Sequence, residues 1–211
     1  MAGLGIGPVE FALFRIPDPE ERADALERGL TPSLVLIGNT LVGGLSRLVG
    51  ANLSVHPGKL AKRKGTAPEE VFVAFCIKDT GYRAGPYLAL AVTRSQLHAR
   101  VAVRASADRD GAIRRALKRE SANLARKGRP FRKLRSYAAW DFEELPEIAP
   151  ACSTAFWFEL AEALVPGHNG SGILDVGIAW PSEEVRSLAI GDVLGAYRDL
   201  APLYKLLANA L

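Results

Sequence analysis

Cysteine, histidine and methionine are scarce in this chain. Its 211 residues include two Cys, three His and one Met. Cys76 and Cys152 are too few and too far apart for a disulfide framework, and Cys76 lies in the apolar run Val71–Ile77. Both read as buried thiols of a reducing compartment. His56, His98 and His168 are isolated from one another and from the cysteines. No C-x2-C, H-x3-H or H-E-x-x-H spacing occurs, so no metal site is expected. Gly3-Leu4-Gly5-Ile6-Gly7 follows no strand and lacks the third glycine of a dinucleotide fingerprint. There is no G-x4-G-K-[ST] and no G-x-S-x-G, so neither a nucleotide cofactor nor a serine nucleophile is expected. The longest apolar stretch, Leu34–Val49, is interrupted by Asn39, Thr40, Ser46 and Arg47. A spanning helix needs about 20 predominantly apolar residues. No basic residue precedes Arg15, so the charged segment of a signal peptide is missing. These absences predict a cytoplasmic protein with no membrane partner.

What the chain has is segregated charge. Residues 59–136 hold 20 Lys/Arg against 6 Asp/Glu, whereas residues 1–58 hold 4 against 6 and residues 137–211 hold 3 against 11. The whole-chain net charge is only +4. Such asymmetry can produce a field that gathers polyanions on one face. The overall composition, 48% hydrophobic and 24% charged, is that of a globular protein and argues against disorder. A chain of this length reads as one domain, residues 1–211.

Asp18 can cap a helix with Pro19 at its first position, running to Arg28 with Gly29 as its stop. Thr31-Pro32 opens a second helix to about Val49, where Gly38, Gly43 and Gly44 weaken the helix or permit close packing. A polar loop, His56–Pro68, precedes three strand candidates. Val71–Ile77 has the dense apolar pattern of a strand buried on both faces. Tyr87–Val92 follows the turn Asp79-Thr80-Gly81. Gln96–Ala105 alternates, with Leu97, Ala99, Val101 and Val103 on one face and His98, Arg100, Ala102 and Arg104 on the other. Short connections predict an antiparallel meander, and Arg100 and Arg104 are expected to be solvent-accessible. Further elements are a helix over Asp108–Lys127 with Ile113, Leu117 and Leu124 on one stripe, a short strand at Tyr137–Phe142, and a helix over Ser153–Val165. A turn at His168–Gly172, a strand at Ile173–Trp180 and a final helix from Ile190 to Ala210 complete the reading. Strands in a run followed by helices define an α+β fold: an antiparallel or mixed sheet of roughly five strands flanked by helices.

Leu60-Ala61-Lys62-Arg63-Lys64, Val73-Ala74-Phe75, Gly81-Tyr82 and Pro86, then Gly177-Ile178, Pro181 and Pro202-Leu203-Tyr204, occur in an order and spacing that resembles the YktB-like bacterial family, known as domain of unknown function 1054. The likeness is good over residues 56–110 and about 172–211, and poor over the first fifty. It implies a compact α+β bacterial protein with an antiparallel sheet flanked by helices, and no particular activity. The chain departs from the family where Phe72 replaces a usual Trp and Tyr87-Leu88 replaces a usual His-Phe.

The basic residues suggest where an anion would bind. Arg114–Arg135 holds ten basic residues and one acid, Glu120. Arg114/Lys118 and Arg115/Arg119 are like-charge pairs one helical turn apart, each unfavourable by roughly 0.2–0.5 kcal/mol. An external polyanion would relieve them, and so would the acids Asp141, Glu143, Glu144 and Glu147. The candidate anion or nucleic-acid contacts are Lys59, Lys62, Arg63, Lys64, Arg83, Arg100, Arg104, Arg114, Lys118, Arg126 and Lys133. Phe131, Tyr137 and Trp140 are candidate stacking partners. The expected function is non-enzymatic binding of nucleic acid or another polyanion through this basic face. An enzyme acting on a phosphorylated or carboxylated small molecule, with the same groups as clamps, is an alternative, as is a structural protein that docks an acidic protein. A long convex basic strip favours the first; a buried carboxylate or Tyr beside two Arg in a cleft favours the enzyme.

Overall fold

The computed structural model describes residues 3–59, 68–77, 81–127, 135–136, 153–165 and 172–211. The chain opens with a short helix α1 (Pro8–Ala12), a 3-10 turn over Leu13–Arg15, and the helices α2 (Pro19–Gly29) and α3 (Thr31–Val49). Asp18 caps α2 as the sequence indicates, its carboxylate accepting from the Glu20 and Glu21 amides at 3.0 and 2.8 Å. Gly29 differs from expectation. It is the last residue of α2 rather than a left-handed stop, and a Cβ there would sit 2.9 Å from Leu13 Cδ1. The glycine serves packing, and Gly38 in α3 does the same beneath Val55 and Phe75. Gly50, at φ 76°, ends α3 in the left-handed conformation.

The strands are β1 (Leu53–Pro57), β2 (Glu70–Ile77), β3 (Tyr87–Thr93), β4 (Gln96–Arg104), the two-residue β5 (Arg135–Ser136) and β6 (Ile173–Pro181). They form one antiparallel sheet in the order β1-β2-β3-β4-β6-β5. The meander β2-β3-β4 is the one expected from the sequence. Strand β1 was not visible there because it is short and half-buried, and it contains His56 and Pro57. The expected strand over 137–142 and the turn at 168–171 lie outside the described residues, as does Cys152.

Helices α4 (Ala112–Arg126), α5 (Thr154–Glu162), α6 (Ser182–Val185) and α7 (Ile190–Ala208) complete the chain. Val73, Phe75, Leu88, Leu90, Ala99, Val101, Val176 and Ile178 point from one sheet face into a large core shared with all the longer helices. Ile113, Leu117 and Leu124 bring α4 into that core along the expected stripe. Helix α3 supplies Leu34, Ile37, Leu41 and Leu45, so its apolar character is accounted for by packing against β1, β2 and α7. By length and composition alone, Pro19–Val49 would also be apolar enough to cross a membrane. Tyr197 of α7 anchors the helices to the sheet by donating a buried hydrogen bond, 2.7 Å, to the Ala89 carbonyl.

The other sheet face has its own small cluster: Ala74, Cys76, Tyr87, Ala89 and Ala102, with Phe72 and Tyr82 packed on it. Burial pushes the Cys76 thiol up to about 11, which leaves it protonated and unreactive at neutral pH.

Candidate functional site

Strand β4 alternates as the sequence indicates, so Gln96, His98, Arg100, Ala102 and Arg104 share the face opposite the helical core. One expectation fails here. Arg100 is buried, at 4% exposure, and Arg104 is half-buried. The register is correct, because Leu97, Ala99, Val101 and Val103 do face the core. What differs is that the middle of the second face, with His98, Arg100 and Ala102, is itself buried rather than open to water.

Arg100 donates through Nη2 to Glu70 Oε2 at 2.7 Å, and its Nη1 pairs with Asp175 Oδ2 at 3.0 Å. Glu70 stands on β2 and Asp175 on β6, and Arg100 on β4 lies between them, next to β6 and two strands from β2. Its long side chain therefore meets an acid on each side. The floor beneath is made of small residues: Ala89 and Gly177 sit opposite Arg100 in its two neighbouring strands. Any Cβ at Gly177 would lie 2.2 Å from the Ala99 carbonyl oxygen and 2.8 Å from Arg100 Cγ. The glycine is therefore what lets β6 approach β4 and the arginine stem lie across it.

Two carboxylates face one guanidinium, and this sets the electrostatics. Burial raises the Asp175 pKa to about 7, Glu70 adds to the rise, and Arg100 and Arg104 oppose it. Asp175 Oδ1 and Arg104 Nε are buried atoms without a hydrogen-bond partner among the described residues. Tyr87 is held protonated, chiefly by burial and then by the Asp175 charge. Tyr82 packs edge-on between Phe72 and Tyr87, with centroids 5.5 and 5.6 Å apart. The Arg83 and Arg104 guanidiniums lie 5.9 and 6.0 Å from the Tyr82 ring centroid. The Lys59 amide donates to the Tyr82 hydroxyl at 3.4 Å. A largely buried acid, its side chain 14% exposed and its pKa raised to about 7, thus lies beside a rim carrying Lys59, Arg83 and Arg104.

The remaining expected contacts are elsewhere. Helix α4 packs its apolar stripe on the helical side of the sheet, so Arg114, Lys118 and Arg126 do not share a face with Arg100 and Arg104. Arg114 Nε pairs with the buried Asp108 at 3.0 Å, and the same carboxylate accepts from the Ile113 amide, capping α4 in place of Gly111. Lys118 pairs with Glu162 of α5, Arg119 with Glu120, and Arg126 hydrogen-bonds Asn123. Lys62, Arg63, Lys64 and Lys133 lie outside the described residues, as do Phe131, Tyr137 and Trp140. Glu70, Tyr87 and Asp175 were missed as site residues. The available signal was Asp175 itself, a lone carboxylate inside the otherwise apolar strand Ile173–Trp180.

With this geometry in view, comparison with known proteins places the chain. The model of the domain of unknown function DUF1054 matches residues 8–148, and the chain belongs to that family. UPF0637 proteins of Bacillus thuringiensis (strain Al Hakam) and Bacillus cereus (strain AH820) are each 31% identical over 78 residues. That stretch is 37% of this chain and 38% of each relative. The family match takes in residues 8–50, where the motif likeness is poor, and stops before Asp175 and Gly177.

The charge on Asp175 has a consequence for stability. Its folded-state pKa, about 7, lies above the ordinary carboxyl value of 3.8. The folded state therefore holds this proton more tightly than the unfolded chain. The resulting stability is fully present below about pH 3.8 and is lost as pH rises through about 7. Urea unfolding of Asp175→Asn and wild type from pH 4 to 8 measures it: the wild type loses stability relative to the variant across that window. A constant difference would place the Asp175 pKa at its ordinary value.

Proposed function

We propose that the protein binds a small acidic molecule, carboxylated or phosphorylated, at the Tyr82 end of the second sheet face, with Asp175 exchanging a proton beside it. The observation that carries this reading is the arrangement of a largely buried carboxylate and a buried tyrosine next to Arg100 and Arg104, the constellation that separates an enzyme-type site from a polyanion strip. Arg100 is engaged on both sides by Glu70 and Asp175, so it positions the acid, while Arg104, Arg83 and Lys59 meet the ligand's charge. A carboxyl poised near neutrality is suited to proton transfer. The pairing of Arg114, Lys118 and Arg119 with acids weighs against α4 as a phosphate track, because those charges are already neutralised.

The test compares two probes. Succinate is expected to shift the NMR signals of Tyr82 and Asp175, and Arg104→Met is expected to weaken its binding at least tenfold, while Arg126→Glu leaves it unchanged. A single-stranded DNA is expected to bind only weakly, with a salt slope of about −0.7 per contacted phosphate. Tight DNA binding that Arg126→Glu weakens and Arg104→Met does not would overturn the reading in favour of nucleic acid.

A further inference from the structure

At the end of β4 the chain turns through Ala105–Ala107 toward α4, and a cavity of about 480 Å3 opens there. Its size is that of a small-molecule compartment. The lining divides by chemistry. Ala107, Ala112 and Ala210 are half-buried and form an aliphatic floor, with Leu211 beside them. Arg83, Ser106, Arg109 and Asp110 are exposed and form the rim. Asp108 also lines the cavity, but its carboxylate is committed to Arg114 and to the first amides of α4. Counting side chains alone, Asp110 leaves the two rim guanidiniums with an excess of one positive charge. Neither Arg83 nor Arg109 has an ion pair among the described residues. Arg83 also stands over Tyr82, so the cavity adjoins the mouth of the polar face.

We infer that this cavity takes the body of an aliphatic carboxylic acid: the carbon chain lies on Ala107, Ala112 and Ala210, and the carboxylate meets Arg83 and Arg109 at the rim. The inference deepens the reading of the polar face, on which it rests for the ligand's acidic character, by choosing a carboxylated, apolar-bodied ligand. The alanine floor offers no donor that would recognise a sugar or a base. A planar guanidinium suits a carboxylate through two parallel hydrogen bonds. Each methylene moved from water onto the floor strengthens binding by roughly fourfold.

Octanoate and acetate are the probes, followed by alanine-methyl NMR on the full chain. Octanoate is expected to shift the methyls of Ala107, Ala112 and Ala210 and to bind at least tenfold more tightly than acetate. Arg109→Glu, an exposed position that leaves the fold intact, is expected to weaken octanoate at least tenfold, and Arg109→Lys to recover part of that loss. Equal affinity for the two acids, unmoved alanine methyls, or an Arg109→Glu effect within twofold overturns the inference. Arg109 lines the cavity and Arg104 belongs to the polar face, so the two variants separate the outcomes. Octanoate that loses affinity with Arg104→Met but not with Arg109→Glu leaves the polar-face site standing and removes the cavity. The reverse result retains the cavity and removes the polar-face site.

Discussion

Arg100→Ala is expected to destabilise the protein by about 3–5 kcal/mol, and by more at pH 8.5 than at pH 5.5. The arginine is the shared partner of Glu70 at 2.7 Å and Asp175 at 3.0 Å, and its side chain is 5% exposed. Removing it leaves two carboxylates close together on a face where water is scarce. The pH dependence follows from Asp175. Arg100 holds its pKa down against burial and against Glu70, so the variant's Asp175 titrates above the wild-type value of about 7. Below that value both proteins carry the proton, and the difference reflects lost hydrogen bonds and Glu70. Above it the wild type releases the proton while the variant must either hold it or bury an unpaired charge. Denaturant unfolding at the two pH values measures this. A loss under about 1 kcal/mol, equal at both, would mean that Arg100 does not bridge the strands in solution. Replacing Arg100, Glu70 and Asp175 together by Met, Gln and Asn should recover most of the loss, because breaking a buried network costs more than removing it whole.

Phe75→Ala is expected to cost about 3–5 kcal/mol, the range for emptying a large aromatic from a packed core. Phe75 is 0% exposed on β2, and its ring meets Tyr197 of α7 edge-on at a centroid distance of 6.0 Å. On its other side lies Gly38 of α3, whose built Cβ would stand 3.5 Å from Phe75 Cε1 and 2.9 Å from Val55 Cγ1. The ring is thus wedged between sheet and helices, and the α3 backbone at Gly38 limits how far the cavity can collapse. Thermal or urea unfolding is the measurement. A change below about 1 kcal/mol would remove Phe75 from the core and β2 from its place in the sheet.

These two residues also show what could be read in advance. Phe75 was legible, because a dense apolar run identifies a buried strand whatever surrounds it. The alternation of Leu97 to Arg104 was equally legible, since successive side chains in a strand must point to opposite faces. The environment of Arg100 was not. Alternation states which face a side chain takes, and says nothing of what lies on that face. Glu70 and Asp175 are about a hundred positions apart in the chain, and only pairing through β3 and β4 brings both to one guanidinium.

The α+β class, the antiparallel meander, the Asp18 cap, the core stripe of α4 and the family can all be read along the chain, because each depends on local spacing or on short motifs in order. Where the charge goes is settled by packing between distant segments. Arg114 and Lys118 find acids on neighbouring elements, Arg100 becomes part of a buried network, and Arg83 and Arg104 flank Tyr82. Charge pairing is decided by distances of a few ångströms between distant segments, since an ion pair needs contact, and the order of residues along a chain does not contain those distances.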